Sequence, residues 1–423
     1  MTTLELISVL VTIAAVFGWV SMRWMRFPIT IGTMLLTVAT SLALEAASAW
    51  TPGIHAWALR VVTQIDFPRL ILDGMLPLLL FAGAFLLDIE ELWRQRVVVV
   101  TLAVAGTVMT AAAVAALMFG ALRLLGMNSA WLPCMMFGAL ISPTDPIAVL
   151  EMLRRVGISA RLQAQLAGES LFNDGIGAVL FLMLLDVAHG GSAAPGRVAW
   201  MLLLEVGGAA VVGVAAAWVT SWLMREVDGY QVEILLTLAL ALGGYTLAGG
   251  LRLSAPLEAV IAGLALRSFN TRRRARRHIA FDRIERFWTA IDELQNAVLF
   301  VLLGLEVLAI PLGRAAIGSG AIAVVVALGV RLAMVAALLL ILRVCRQRFR
   351  SSVVVLTWGG LHGGLSLALA LSLPVMPKSA WVLPATYLVV LFSVVVQGGS
   401  MPILLRRFAS EHPRTAQEAE PAS

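Results

Sequence analysis

Two short stretches carry most of the polar chemistry of this 423-residue chain. "GESLFNDGIGAVLFLMLLD" places Glu169, Ser170, Asn173 and Asp174 at the mouth of an apolar run. "GALISPTDPIAVL" places Thr144 and Asp145 between two prolines inside another. Carboxylate, hydroxyl and carbonyl oxygens suit hard alkali cations, which need no soft ligand. Two carboxylates held close in a low dielectric compete to ionise, so such a pair can take up a proton near neutral pH. A site that holds a cation or a proton, but not both well, can exchange one for the other.

These residues need elements to position them. At helical spacing Glu169 and Asn173 share one face, and Ser170 and Asp174 share the adjacent one. An aspartate inside a membrane span costs about 2.5–3.5 kcal/mol on the insertion scale, so it is expected to face an interior cavity with a partner. Prolines 143 and 146 remove donors and push their preceding residues out of helical geometry, which frees carbonyls near Thr144. Asp145, Asp174, Ser170 and the Thr144 backbone are therefore the expected cation seat. Glu169 is read as an ion-pair partner rather than a ligand. Arg331 in "ALGVRLAMV" is the only basic residue deep in an apolar run, and two buried opposite charges without other partners should meet.

The chain is 60% hydrophobic and only 13% charged. Continuous apolar runs of about twenty residues recur throughout, the length that crosses a hydrocarbon core. The runs do not alternate, so helices rather than a β-barrel are expected. Spans are expected over 4–22, 27–47, 70–87, 97–122, 131–153, 165–188, 198–223, 230–250, 254–268, 289–310, 318–342, 353–375 and 380–405. The first run lacks the flanks of a cleaved signal and reads as a retained helix. The polar-flanked segment from Ala49 to Asp66 reads as a short interfacial helix. The fifth span is broken at "SPTDP" and the twelfth at "TWGGLHGG". Paired broken helices in two inverted halves point to a transporter's midplane site.

Arginines are unevenly shared between alternate loops. One set holds Arg23 and Arg26, Arg94 and Arg96, Arg154, Arg155 and Arg161, Arg225, and the groups 267–286, 343–350 and 406–414. The other holds Arg60, Arg69, Arg123, Arg197, Arg252, Arg314 and Lys378. An asymmetry of roughly three to one puts the first set in the cytoplasm, the N-terminus outside and the C-terminus inside. The run "TRRRARRH" at 271–278 fits this topology signal, with contact to anionic lipid headgroups as its secondary role; no nucleic acid is expected. Lys378 is the only lysine, so a P-loop cannot be written and no nucleotide is expected. CxxC and HExxH are absent. Cys134 and Cys345 read as packing residues, and no cofactor or enzymatic activity is expected.

At these residues the chain resembles the bacterial sodium/proton antiporters of the cation:proton antiporter-1 family, relatives of the eukaryotic sodium/proton exchangers. The likeness runs over nearly the whole length. It includes "LPLLLFAGAFLLD", "ISPTDPIAVLEML", "GESLFNDGIG", "DELQNAVLFVLLGLEVL" and "TWGGLHGGLSLALALSLP". It implies an all-α polytopic protein of about thirteen transmembrane helices, with inverted repeats and two broken crossing helices, that forms a homodimer. Interface helices would occupy 1–96 and 224–317, core helices 97–196 and 318–408, a linker helix 197–223 and a disordered cytoplasmic tail 409–423. It implies that Asp174 binds cation or proton, assisted by Asp145, Ser170 and the Thr144 carbonyl. Asn173 would orient the site, and Glu169 would pair with Arg331. The Asn–Asp pair resembles the branch with electroneutral one-for-one exchange.

Two residues depart from the family pattern. Ala82 stands where many exchangers have a glutamate, and His362 stands in "GLHG" where arginine is usual. A histidine titrates near pH 6.5 when unperturbed, so His362 is either a pH-modulating group or a neutral hydrogen-bonding substitute. The expected function is exchange of Na⁺, with Li⁺ also accepted, for H⁺ across a bacterial inner membrane, serving sodium export and pH homeostasis. A K⁺/H⁺ exchanger and a carboxylate-lined cation channel are the competing readings.

Overall fold

Prolines and polar caps decide where the long apolar helices start, bend and stop. The computed structural model describes residues 3–411, apart from residues 26–28, 49, 51, 128, 147–148, 151–152, 154–159, 191–194, 228, 272–277, 311–312, 343–348, 375 and 377. The described residues are helical with no β-strand; their one isolated bridge joins Asp145 to Leu361. In chain order the helices begin with α1 (Thr3–Val20), α2 (Ile29–Ala46), α3 (Pro52–Gln64), α4 (Phe67–Leu86) and α5 (Ile89–Leu124). Next come α6 (Trp131–Ile141), α7 (Ala160–Ala188), α8 (Pro195–Leu223), α9 (Tyr230–Gly250) and α10 (Ala255–Thr271). The last are α11 (His278–Leu305), α12 (Arg314–Leu342), α13 (Phe349–Gly359), α14 (Gly364–Leu371) and α15 (Val382–Leu405).

Among the described residues, nine helical stretches are long and apolar enough to cross a bilayer. The chain is an all-α, multi-pass membrane protein. The remaining expected spans correspond to helices that are short, charged or interrupted. α6 stops at Ile141 before the first proline break, and helical backbone resumes at Val149. α13 and α14 are separated by residues 360–363. α10 is 17 residues long, and α11 carries charge through its first half.

Two π turns precede prolines that lie within the same continuous helix. The turn Leu70–Met75 contains the carbonyl four residues before Pro77, and Ser393–Gly398 contains that before Pro402. A proline cannot bond that carbonyl and its ring crowds it, so the helix widens locally instead of breaking.

Several boundaries differ from expectation. α5 starts at Ile89 and not at residue 97, because Asp88 caps it: its Oδ1 accepts from the amides of Glu90 at 2.9 Å and Glu91 at 3.3 Å. Arg94 and Arg96 therefore lie on a helix and not in a loop. α11 starts at His278, eleven residues before the expected 289. Helix continues beyond α15 to Glu411, so the first three residues of the expected tail are helical. The polar-flanked segment from Ala49 to Asp66 forms α3, as its flanks suggested. Cys134 is buried and free, whereas Cys345 and the heart of the basic run, 272–277, lie outside the described residues.

The largest apolar cluster draws on α4 to α7, α10, α12, α14 and α15, including Leu80, Met118, Phe137, Phe181, Val260, Val330 and Val389. It packs around the two interruptions and holds them in register.

Candidate cation site

The two interruptions meet. The amide of Asp145 donates to the carbonyl of Leu361 at 2.7 Å, the antiparallel bridge noted above. Side chains are absent on the glycine side for a steric reason. A Cβ on Gly363 would lie 2.8 Å from Asp145 Cβ, and one on Gly360 would lie 2.8 Å from Arg331 Nε. Glycine is what lets the second break approach the first so closely.

α7 supplies the next layer. The Asn173 side chain holds Thr144 from both ends: its Oδ1 accepts from the Thr144 amide at 3.3 Å, and its Nδ2 donates to Thr144 Oγ1 at 2.9 Å. The Ser170 hydroxyl donates to the Thr144 carbonyl. That carbonyl is thus already engaged and not free. A carbonyl oxygen has a second lone pair and the donating hydroxyl keeps its own, so both oxygens can still face a cation.

Glu169, one turn back on α7, is almost fully buried and forms an ion pair with Arg331 of α12. Arg331 Nη2 also donates to the Leu356 carbonyl on α13 at 3.2 Å. One guanidinium therefore ties three helices around the crossing. A planar, permanently charged donor set suits this role better than a lysine would.

Asp145, Thr144, Ser170 and Asp174 all line one cavity of about 860 Å³. Asp145 and Asp174 are half-buried at its wall. Among the described residues no cluster of three or more His, Cys, Asp or Glu could hold a metal ion. Two carboxylates with neutral oxygens form a donor set for a hard cation.

His362 lies at the crossing, buried, with Nδ1 3.2 Å from the carbonyl of Pro143. That bond needs a proton on Nδ1 only, so a neutral ring satisfies it. His362→Gln, which can donate without ionising, is expected to keep the acid limb of the parent's pH–activity profile. A limb displaced by a pH unit or more would show that ring charge matters. Ala82 is buried in a separate apolar cluster with Phe81, Phe85 and Trp288, and α4 lines the cavity through Leu79, Leu80, Gly83 and Leu86 instead. Ala82 itself does not line the cavity.

Sequence reasoning missed the opposite wall. α11 contributes Asp282, Glu285, Arg286, Thr289, Asp292, Glu293 and Asn296. Their spacing of three and four residues is the signature of one helical face, but a search for apolar runs starts the span at residue 289 and leaves out Asp282, Glu285 and Arg286. Glu285 is bound by Arg267 of α10 at 2.6 Å, which secures the wall to its neighbour.

The sequence matches the model of the family described as "sodium/hydrogen exchanger, transmembrane" over residues 10–407. The chain belongs to the sodium/hydrogen exchanger family. Relatives within it include the Na⁺/H⁺ antiporter NhaP of Pseudomonas aeruginosa, 37% identical over 98% of this chain and 99% of that protein. The Na⁺/H⁺ antiporter NhaH of Halobacillus aidingensis is 31% identical over 82% and 85%. The fold is that of the sodium proton antiporter MjNhaP1 of Methanocaldococcus jannaschii, with a TM-score of 0.72 at 19% identity over 94% of this chain and 100% of that one.

Proposed function

We propose that the protein is a secondary antiporter that exchanges Na⁺ for H⁺, one for one, at the crossing of the two interrupted helices. One observation carries this reading: Asp145, Ser170 and Asp174 open onto a single cavity beside backbone freed from helical bonding. The full-length relatives named as Na⁺/H⁺ antiporters support the choice of cation. Asp174 is the group that alternates between cation and proton. Asp145, Ser170 and the Thr144 carbonyl complete the seat, Asn173 orients it, and the Glu169–Arg331 pair braces it.

In a one-for-one exchange each pH unit offsets a tenfold cation gradient, about 1.4 kcal/mol, and the two gradients are the only energy source. The arginine bias orients the chain with its N-terminus outside and C-terminus in the cytoplasm of a bacterial inner membrane. The cavity then opens inward, because Asp282, Glu285 and Arg286 follow directly on the basic loop. About thirteen spans, a mobile core of 97–196 and 318–408, and a homodimer held by 1–96 and 224–317 complete the reading. Li⁺ is accepted at the same seat, and lipid headgroups contact the basic loop.

Purified protein in proteoliposomes with an internal pH dye tests this directly. Under an imposed pH gradient, added Na⁺ or Li⁺ should move protons at a rate that a valinomycin voltage clamp does not change. Response to K⁺ alone would keep the mechanism and replace the cation. A voltage-dependent current without cation-coupled proton flux would make the protein a channel.

A further inference from the structure

We propose that Glu258 is a proton-binding site outside the cation cavity, a carboxylic acid whose proton keeps α10 seated against α8 and α9. Glu258 has no exposed surface, and neither carboxyl oxygen is hydrogen-bonded to any described residue. The carboxyl lies flat on Gly244 of α9, where an added Cβ would fall 2.9 Å from its Cδ. On the other side, a Cβ on Gly213 of α8 would fall 3.0 Å from the Glu258 carbonyl oxygen. Gly244 thus makes the space that this side chain fills, and Gly213 lets the backbone of α10 approach α8.

That space suits a proton. An isolated carboxylate in a buried apolar setting is costly unless it is paired or neutral. Among the described residues, none of the titratable groups on the elements packed around it bonds its carboxyl. α7 brings Asp174, α8 brings Glu205, and α9 brings Glu233 and Tyr245, whose hydroxyl is committed to the Leu72 carbonyl at 2.8 Å. α4 brings Arg69 and Asp73, Arg252 lies in the turn before α10, and Arg161 and Arg197 stand in the first turns of α7 and α8. The charged residues of α5 nearest to α10 are Glu90, Glu91, Arg94 and Arg96 in that helix's first turns, and Arg267 of α10 itself is held by Glu285. The helix start of α10 favours negative charge in general. Here the amides of Leu257 and Glu258 are bonded to Ser254, through its hydroxyl at 3.4 Å and its carbonyl at 3.0 Å, and not to the Glu258 carboxyl. A dehydrated alkali ion needs several oxygens around it, and the glycine surface provides none.

Position gives the group a consequence. The residue before it, Leu257, packs on Gly175 of α7, where an added Cβ would lie 3.5 Å from the Leu257 amide nitrogen. Gly175 directly follows Asp174. One turn of α10 therefore touches the cation-binding helix on one side and holds a buried acid on the other. Removing that proton places an uncompensated charge between α10 and α9 and loosens the seating of α10 beside the site. The chemistry of Glu258 does not depend on the exchange reading; only its coupling to Asp174 does.

Infrared difference spectra of the full purified chain in lipid, recorded between neutral and alkaline pH, read the C=O stretch of protonated carboxyl groups. The parent should show such a band that fades on alkalinisation. Glu258→Gln should lose it, and Asp174→Asn should keep it, whether or not either protein transports cations. Superimposable spectra for the parent and Glu258→Gln would overturn the proposal. Should the glutamine chain fail to fold, Glu258→Met fills the same unbranched volume without a proton and carries the same comparison.

Discussion

Proteoliposomes carrying Asp174→Asn will show Na⁺-driven proton flux reduced by a factor of about 100 or more, equivalent to roughly 2.7 kcal/mol or more in the barrier. The amide has nearly the shape of the carboxyl, so α7 and its hold on Thr144 through Asn173 and Ser170 should persist. What disappears is the one property an exchanging group must have: a charge that either a cation or a proton can neutralise. Unchanged helicity and elution, with flux gone for every alkali cation, is the expected combination. Flux at half the parent rate would move the exchanging role to Asp145, the other carboxylate at the cavity wall. Asp145 is the weaker candidate on geometry. Its own amide is bound in the bridge to Leu361, and its side chain is pressed against Gly363, so it reads as a fixed wall.

What the sequence disclosed about this site, and what it hid, follows from the range of the interactions. The interruptions were legible because proline and clustered glycine act locally: each breaks its own helix whatever surrounds it. Glu169 and Arg331 could be paired by elimination, since each is isolated in an apolar run and lipid offers neither a partner. The grip of Asn173 on both ends of Thr144 could not be read, because it depends on the register between α7 and the first break. The acidic wall of α11 was hidden for another reason. Its residues are amphipathic at helical spacing, but apolar-run reading treats charge as loop and cuts away the first eleven residues of the helix. Glu258 was overlooked in the same way. A single glutamate one turn inside a short span looks like a helix-start residue until its carboxyl is seen to lie against Gly244.

Breaking the Glu169–Arg331 pair from either side should cost stability unequally. With Arg331 side-chain exposure at 11% and Glu169 at 2%, both charges sit away from water. Losing one partner of a buried pair typically costs about 3–5 kcal/mol, because the survivor is left uncompensated. A guanidinium cannot escape that penalty, since it stays protonated in any protein. A carboxylate can, by taking up a proton. Glu169→Gln should therefore destabilise the protein more than Arg331→Met does, as read from thermal unfolding in detergent at neutral pH. The double variant should be more stable than Glu169→Gln alone, because it removes the stranded charge. Additive losses in the double variant would mean that Arg331 acts mainly through its bond to the Leu356 carbonyl and its packing on Gly360, and not through Glu169. Exchange should be lost in all three variants, including the double one whose stability returns. The pair holds α7, α12 and α13 at the crossing, and a neutral substitute restores free energy without restoring that geometry.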